Sequence, residues 1–319
     1  MKNNNKILVI STAPTHPTIS GNRSAILSYS ELLKEMGYEV SFLFVQTCDT
    51  NKRDKEKTQK YWGHNFFYYK TNKLFYRKRL FFRRRFVDNY DVDNWYPNGL
   101  ARFVKKMQNE NNFNIIILNY IWLTKVFNYL SGVKKILFTH DVFSDRFKRT
   151  GIRWFSVSPA EEAKALDRCD LVLAIQDLES KYFGSITNTK IITSYSPVQY
   201  KSTQICNNKT ILFLAGPNDY NTEGLVHFIN NIWPKIKKEF PDLKLLIGGG
   251  ICKRPEIQNK GEDIELLGKI NDLQNFYSKG DIFINYVFEG AGLKIKNIEV
   301  LSYGKIVVCH SHNIEGIFQ

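Results

Sequence analysis

The chain has 319 residues, enough for two domains that each bury a core, and its 43% apolar and 14% aromatic content belongs to a folded globular protein rather than a disordered one. Its formal net charge is +14, yet residues 201–319 hold 14 Lys and Arg against 13 Asp and Glu, so +13 of it lies in residues 1–200, which argues for a boundary near residue 200 and an acidic partner for the first part. No run of about 18 apolar residues offers a membrane span, no signal peptide precedes the first strand-like run, and the five cysteines form no C-x-x-C pair, as suits reduced thiols in a cytoplasm and argues against zinc.

Ile7 to Ile10 is a short β-branched run, followed by the loop STAPTHPTISGN and then by Ile26, Leu27, Leu32, Leu33 and Met36 at helical spacing, closed by Gly37. The spacing predicts strand, loop, helix, with Gly21, Asn22 and Arg23 in the loop ahead of the helix, and Tyr38 to Val45 as the next strand. Residues 49–60 are charged and read as a surface helix or loop; Phe66 to Tyr69 reads as a short strand. Residues 70–86 then carry eight basic side chains in seventeen positions. At about 100° per residue Phe75, Phe82 and Phe86 share one face, while Lys73, Arg77, Lys78, Arg84 and Arg85 gather opposite. Two readings fit: a basic amphipathic helix lying on an anionic bilayer, or a solvated helix packing its phenylalanines on the core. Asp91-Val92-Asp93 has the D-x-D pattern of a metal site, but it lies in the polar stretch VDNYDVDNWYPNG rather than at a strand end, which argues against that chemistry.

Asn114 to Asn119 and Lys135 to Thr139 are continuous apolar runs with polar flanks, the pattern of buried parallel strands. The second leads into THDVFSDR, so His140 and Asp141 fall at a strand's carboxyl end, where doubly wound folds place ligand groups; a lone histidine there serves structure as readily as chemistry. Ser158 with Glu161 three positions on forms a capping box and predicts a helix over SPAEEAKALDRC, with LVLAIQ as the following strand. Lys190 to Ser194 closes the first half and SYSPVQYKSTQICNN links it to the second.

The second half reads as the strand TILFLAG, the turn PNDYNTEG, a helix through Trp233 to Phe240, and the strand LKLLIGGG. After these come DIELLG, the short helix LQNFYSKG and the strand DIFINY. Gly248 to Gly250 makes no G-x-G-x-x-G and no Walker A motif is present. Phe288 to Val308 is the most informative stretch. Gly290 and Gly292 give a turn that lets backbone approach a ligand, Lys294 and Lys296 sit in the first turn of the helix behind it, and Glu299 follows on that helix. Gly304 ends the helix and Ile306 to Val308 begin another strand. Such a helix start suits phosphate, and Glu299 suits two ribose hydroxyls; an ordinary β-loop-α unit is the plain alternative.

These motifs resemble glycosyltransferase family 4, whose donor segment reads E-G-x-G, a helix, a second Glu, then x4-G-x-P-V-V; the matching positions are Glu289, Gly290, Gly292, Glu299, Gly304 and Val307. Nine residues separate the two glutamates where the family usually has seven, a spacing that a G-x-G-L-K-x-K branch of the family accommodates, and Lys305-Ile306 replaces the proline. SGNRS with GYEV, and THDVFSDR with SPAEEAKALDRCDLVLAIQDLES, resemble the family's N-terminal domain. Where many members carry an Arg and a Lys after the first strand of the second domain, this chain has Pro217, Asn218 and Asn221. It stops at HNIEGIFQ, where the resemblance expects more, so the C-terminal part is expected to be shortened.

The resemblance implies an α/β, GT-B-like fold: two doubly wound parallel-sheet domains facing a cleft, with residues 1–200 binding the acceptor and 201–319 the nucleotide sugar. It implies a retaining transfer of sugar from a nucleoside diphosphate sugar to an acceptor hydroxyl, with no required metal or other cofactor. His140, Glu289 and Lys294 are then catalytic, and Gly290, Gly292, Lys296, Glu299, Gly216 and Asn218 bind the donor. Gly21, Asn22 and Arg23 face the acceptor. Lys73, Arg77, Lys78, Phe82, Arg84, Arg85 and Phe86 dock on an anionic membrane at its cytoplasmic side, where a sugar or lipid-linked acceptor for cell-surface polysaccharide or glycolipid is presented. No nucleic-acid partner is expected, although the charge alone would allow one. A donor-binding or partner subunit without catalysis is the alternative, supported by the missing Arg and Lys and the short end.

Overall fold

The computed structural model describes residues 5–18, 20–47, 51–72, 89–151, 155–195, 197, 200, 201, 203, 208–258, 261–288 and 295–314. They belong to two compact units, Met1–Pro197 and Val198–Gln319. The basic stretch 73–86, and with it every membrane-docking residue named above, lies outside the described residues, as do Glu289, Gly290, Gly292 and Lys294.

The first unit is built on seven parallel strands: β1 (Lys6–Ser11), β2 (Glu39–Val45), β3 (Phe66–Tyr69), β4 (Ile115–Asn119), β5 (Lys134–Phe138), β6 (Leu171–Ala174) and β7 (Ile191–Thr193). Their spatial order is β3-β2-β1-β4-β5-β6-β7. Because side chains alternate across a strand, β1 and β2 feed two separate cores. Leu8, Ile10, Leu43 and Val45 join one with Trp95, Trp122, Leu100, Val104 and Met107. Ile7, Val9, Val40, Phe42 and Phe44 join the other with Ile26 and Trp62. The helices sort accordingly: α1 (Gly21–Glu35) and α2 (Lys52–Trp62) cover one face, and α3 (Leu100–Asn111) the other. On that second side lie also a 3-10 helix (Ile121–Tyr129) and α5 (Pro159–Leu166), which follows the short α4 (Arg146–Thr150). α6 (Asp177–Ile186) completes the unit. Each fully buried Phe or Leu contributes roughly 1.5–3 kcal/mol, which is why continuous apolar strands suit a sheet covered on both faces.

Asp93 is engaged by Arg168 in a two-pronged ion pair at 2.7 and 2.9 Å. Burial opposes its charge, yet these bonds outweigh burial and hold the carboxyl below its ordinary range. The D-x-D aspartate thus ties the 3-10 turn Val92–Trp95 to the end of α5. Among the described residues no group of three or more His, Cys, Asp or Glu is placed to hold a metal ion, and no helix is long and apolar enough to cross a membrane.

The second unit repeats the plan with five parallel strands, β8 (Thr210–Leu214), β9 (Lys244–Gly248), β10 (Ile264–Gly268), β11 (Ile282–Asn285) and β12 (Ile306–Cys309), in the order β10-β9-β8-β11-β12. Its helices are α7 (Asp219–His227), α8 (Trp233–Glu239), α9 (Leu273–Tyr277) and α10 (Ile295–Ser302). Where the sequence predicts a turn over PNDYNTEG, the helix begins at Asp219, because the Asn218 side chain accepts the Asn221 N–H at 2.8 Å and caps it. A π turn over Phe228–Ile232 joins α7 to α8, and it ends beside Pro234, which has no N–H to continue the earlier ladder.

Gly224 explains how α7 reaches the sheet. A Cβ there would lie 1.8 Å from the Tyr286 carbonyl oxygen, so the helix packs backbone against backbone just past β11. Gly184 in α6 has open space around it. Gly224→Ala should therefore cost about 1–3 kcal/mol, while Gly184→Ala should be neutral or stabilise by up to about 1 kcal/mol. Paired thermal melts of the two variants check this: equal melting temperatures would contradict the close approach.

Candidate functional site

In the first unit the strand order reverses between β1 and β4, the place where open α/β sheets bind ligands at the carboxyl ends of their strands. Asn119 ends β4, and its amide Nδ2 donates to the Ile10 carbonyl at 3.2 Å, bridging to β1. Tyr120 follows at φ 72° and His140, just past β5, at φ 75°, both rare conformations for residues with a Cβ. The turns bring the two rings together, stacked at 4.6 Å and 29°, while Phe138 lies 4.3 Å from the imidazole on a tilted plane. His140 Nε2 is 2.8 Å from Asn119 Oδ1. Asn22 Nδ2 donates to the Tyr120 hydroxyl at 2.6 Å. Burial drives the imidazole pKa down to about 3 and the Tyr120 phenol up to about 12, so both rings are neutral at physiological pH.

Of the residues expected near an acceptor, Asn22 is thus joined to His140 through Tyr120. Gly21, Asn22 and Arg23 are not loop residues; they form the first turn of α1, with Ser20 as its cap residue in an extended conformation. Arg23 turns away to pair with Asp54 at 2.9 Å and to donate to the Pro17 carbonyl at 3.3 Å. Asn119 and Tyr120 escaped sequence reasoning, although a polar residue closing an apolar strand was the available signal.

Two buried carboxyls lie on α5 and α6 of the same unit. Glu162 is buried and accepts from the Phe143 and Ser144 N–H groups, each at 2.9 Å, and from the Ser144 hydroxyl. Burial nevertheless lifts it to about 7. Glu179 is lifted further, to about 8, by burial and then by the negative charge of Asp141; one oxygen accepts from Gln176 at 3.3 Å and the other meets no partner among the described residues. A carboxyl whose pKa rises on folding binds more protons folded than unfolded between about pH 4 and 8, so its share of stability is full below that window and is lost as pH rises through it. Glu179→Gln should remove that loss. Urea melts across pH 4–9 should show wild type weakening relative to the variant, with the variant more stable at pH 9 by on the order of a few kcal/mol. Parallel pH profiles would contradict it.

The second unit places its candidates at its own reversal, between β8 and β11. Gly216 and Asn218 follow β8 and are propped by the glycines after β9: a Cβ at Gly249 (φ 97°) would lie 2.2 Å from the Ala215 carbonyl, and one at Gly250 2.9 Å from Pro217. Asn221 Nδ2 donates to the Gly216 carbonyl at 3.1 Å, closing that turn. On α10, Glu299 accepts from the Tyr277 hydroxyl at 2.6 Å and from Lys296 Nζ at 2.7 Å. Burial and the Glu299 charge together hold the Tyr277 phenol far above its ordinary pKa.

Three buried asparagines frame the glycine segment from both ends. Asn285 Nδ2 donates to Asn297 Oδ1 at 2.7 Å, and Asn297 Nδ2 to the Asn313 carbonyl at 2.8 Å. Asn313 Nδ2 donates to the Asn285 and Val287 carbonyls, each at 2.9 Å. β11, α10 and the turn after β12 are thereby locked together. Polar residues at an inward strand end and on an apolar helix face were its trace in the sequence.

Residues 208–318 match the family model described as glycosyl transferases group 1. An uncharacterized 44.6 kDa protein in the cps region of Klebsiella pneumoniae is 25% identical over 340 residues, covering 98% of this chain and 84% of that one. Among solved structures, the pneumococcal O-GlcNAc transferase GtfA in complex with UDP and GlcNAc superposes with a TM-score of 0.65 at 12% identity, over 97% of this chain and 84% of that one. HepE of Anabaena in complex with UDP and glucose gives 0.59 at 12% identity, over 95% and 80%. Sucrose-phosphate synthase from Thermosynechococcus elongatus gives 0.61 at 14% identity, over 96% and 81%. These likenesses define a GT-B-like fold, two α/β units each on a parallel sheet. Over residues 208–318 the chain is similar to the group 1 glycosyltransferases.

Proposed function

We propose that the chain moves a sugar, with retention of anomeric configuration, from a nucleoside diphosphate sugar to an acceptor hydroxyl in the synthesis of a cell-surface polysaccharide or glycolipid. The observation that carries this reading is the family match over 208–318, the unit that holds Glu299 behind the Gly290-x-Gly292 segment. Tyr277 and Lys296 hold the Glu299 carboxylate in place, as acceptance from two ribose hydroxyls needs. Lys294 meets the departing diphosphate, and the amides of Gly290 and Gly292 complete its binding. Gly216 and Asn218 line the donor site from the loop after β8. Glu289 contacts the sugar, His140 is the first unit's contribution to transfer, and Asn22 belongs to the acceptor side. UDP in two of the matched structures makes a uridine donor the first to test, and the cps-region relative supports a capsular polysaccharide.

Thermal shifts with UDP-glucose, UDP-N-acetylglucosamine and GDP-mannose test the donor. Binding at a hundred times Kd stabilises by about 2.7 kcal/mol, and Glu299→Ala should abolish most of the shift. Lys294→Ala should lower kcat more than it raises KM, and His140→Ala should reduce turnover at least about a hundredfold. No shift with any donor would overturn the reading. A shift without turnover would favour the second one, a donor-binding subunit, which the absence of Arg and Lys after β8 supports.

Residues 70–86 dock the protein on the cytoplasmic face of an anionic membrane, where a lipid-linked acceptor is presented. Each Lys or Arg near such a surface contributes on the order of 1 kcal/mol, so half of the eight would give about 4 kcal/mol, enough for weak reversible binding. Vesicle co-sedimentation should weaken with salt, and should be lost when Arg83, Arg84 and Arg85 become Glu or when Phe82 and Phe86 become Ser. Retention of binding by both variants, or tight DNA binding without vesicle binding, would contradict it.

A further inference from the structure

We propose that Asn119 is a positioning residue that fixes His140 as its Nε2–H tautomer, so that the imidazole offers the substrate a bare Nδ1 lone pair, an acceptor for a sugar hydroxyl. This rests on the assignment of His140 to the transfer step made above.

The argument begins with the amide. A side-chain amide has two donors on nitrogen and only acceptors on oxygen. Nδ2 of Asn119 already donates to the Ile10 carbonyl, 3.2 Å away. Turning the amide over would set Oδ1 against that carbonyl, lone pair against lone pair, with both groups in the interior. Oδ1 therefore faces His140 Nε2 at 2.8 Å, and an oxygen there can only accept. The proton must sit on Nε2, and a neutral ring has just one.

The ring cannot evade this by rotating. Turning it over about the Cβ–Cγ bond would replace Nε2 by a carbon and forfeit the bond to Asn119. Tyr120 and Phe138 pack on the ring at 4.6 and 4.3 Å, and the φ of 75° at His140 aims it between them. Nor does a second proton arrive, since burial keeps the imidazole neutral. Among the described residues Nδ1 has no hydrogen-bond partner, so its lone pair is left for a ligand. An alcohol donates to such an atom, whereas a phosphate or carboxylate oxygen is repelled by it. The chemistry selected is that of a neutral hydroxyl on a sugar.

The test uses the full chain with 15N-labelled histidine, the His140 signal being the one missing from His140→Ala. Long-range 1H–15N correlation in wild type should show Nε2 protonated and Nδ1 bare. In Asn119→Ala both tautomers should appear, and nucleoside diphosphate release from the sugar donor giving the largest thermal shift should fall at least about tenfold in kcat with KM little changed. A protonated Nδ1 in wild type would overturn this proposal and leave the donor assignment standing. So would an Asn119→Ala enzyme that loses rate with its tautomer unchanged. A fully active His140→Ala enzyme would instead overturn the role given to His140, and the positioning role with it.

Discussion

A parallel strand cannot be reached from its neighbour by a tight turn, so the chain must leave each strand at its carboxyl end and return along a face of the sheet. In both units the first strand pairs on either side with a strand reached in opposite senses: β1 lies between β2 and β4, and β8 between β9 and β11. The connections from such a pair depart to opposite faces and leave an opening above the strand ends. What fills that opening is determined by the one or two residues that close each strand. In the first unit these are Asn119, Tyr120 and His140, and in the second the loop of Gly216 and Asn218. Side chains at these points are held firmly because the backbone there has left the ladder but is still anchored by it.

Both openings are braced by asparagine. Asn119 bridges two strand ends and a histidine, and Asn285, Asn297 and Asn313 bridge a strand, a helix and a turn. A buried amide satisfies donors and acceptors together without the desolvation penalty of a charge. It also has direction, since reversing it exchanges donor for acceptor. That directionality is what a site needs when the orientation of one ring matters more than the strength of any single contact.

The sheet was legible because its strands are apolar on both faces. NIIILN, KILFT, TILFLAG and DIFINY each read as continuous runs, and the structure has a strand in each. Several helices were less legible. Leu100, Phe103, Val104 and Met107 carry the α3 periodicity, but a Tyr-Pro-Asn-Gly turn precedes them and draws the eye to loop. The 3-10 helix Ile121–Tyr129 buries Ile121 to Thr124, Val126 and Phe127, a nearly continuous run that offers no helical period. Gly224 signals a turn by composition, whereas its role is the close approach of α7 to Tyr286, a contact 62 residues away along the chain. Glu162 reads as a solvated first-turn acid and is buried, because the loop after β5 folds its N–H groups over it. Pairings such as Asn119 with His140 leave no trace in periodicity: each residue alone has an ordinary explanation, and only the adjacency of β4 and β5 joins them.

The charge of the first unit and the character of its strand-end site point to a division of labour. Residues 1–200 carry +13, yet the groups gathered above β1 and β4 are an uncharged imidazole, a phenol and two amides. Nearby, Glu162 and Glu179 are held toward their protonated forms by burial. A net positive field acts over a Debye length of about 8 Å or more and raises the encounter rate with anionic partners whatever their detailed shape. Neutral donors and acceptors act only at contact, and they discriminate among hydroxyls by direction. Placing a cation at the His140 position would add attraction for any phosphate that reached it and blur that discrimination. The half-buried histidine is held uncharged by desolvation and adds no cation to this cluster.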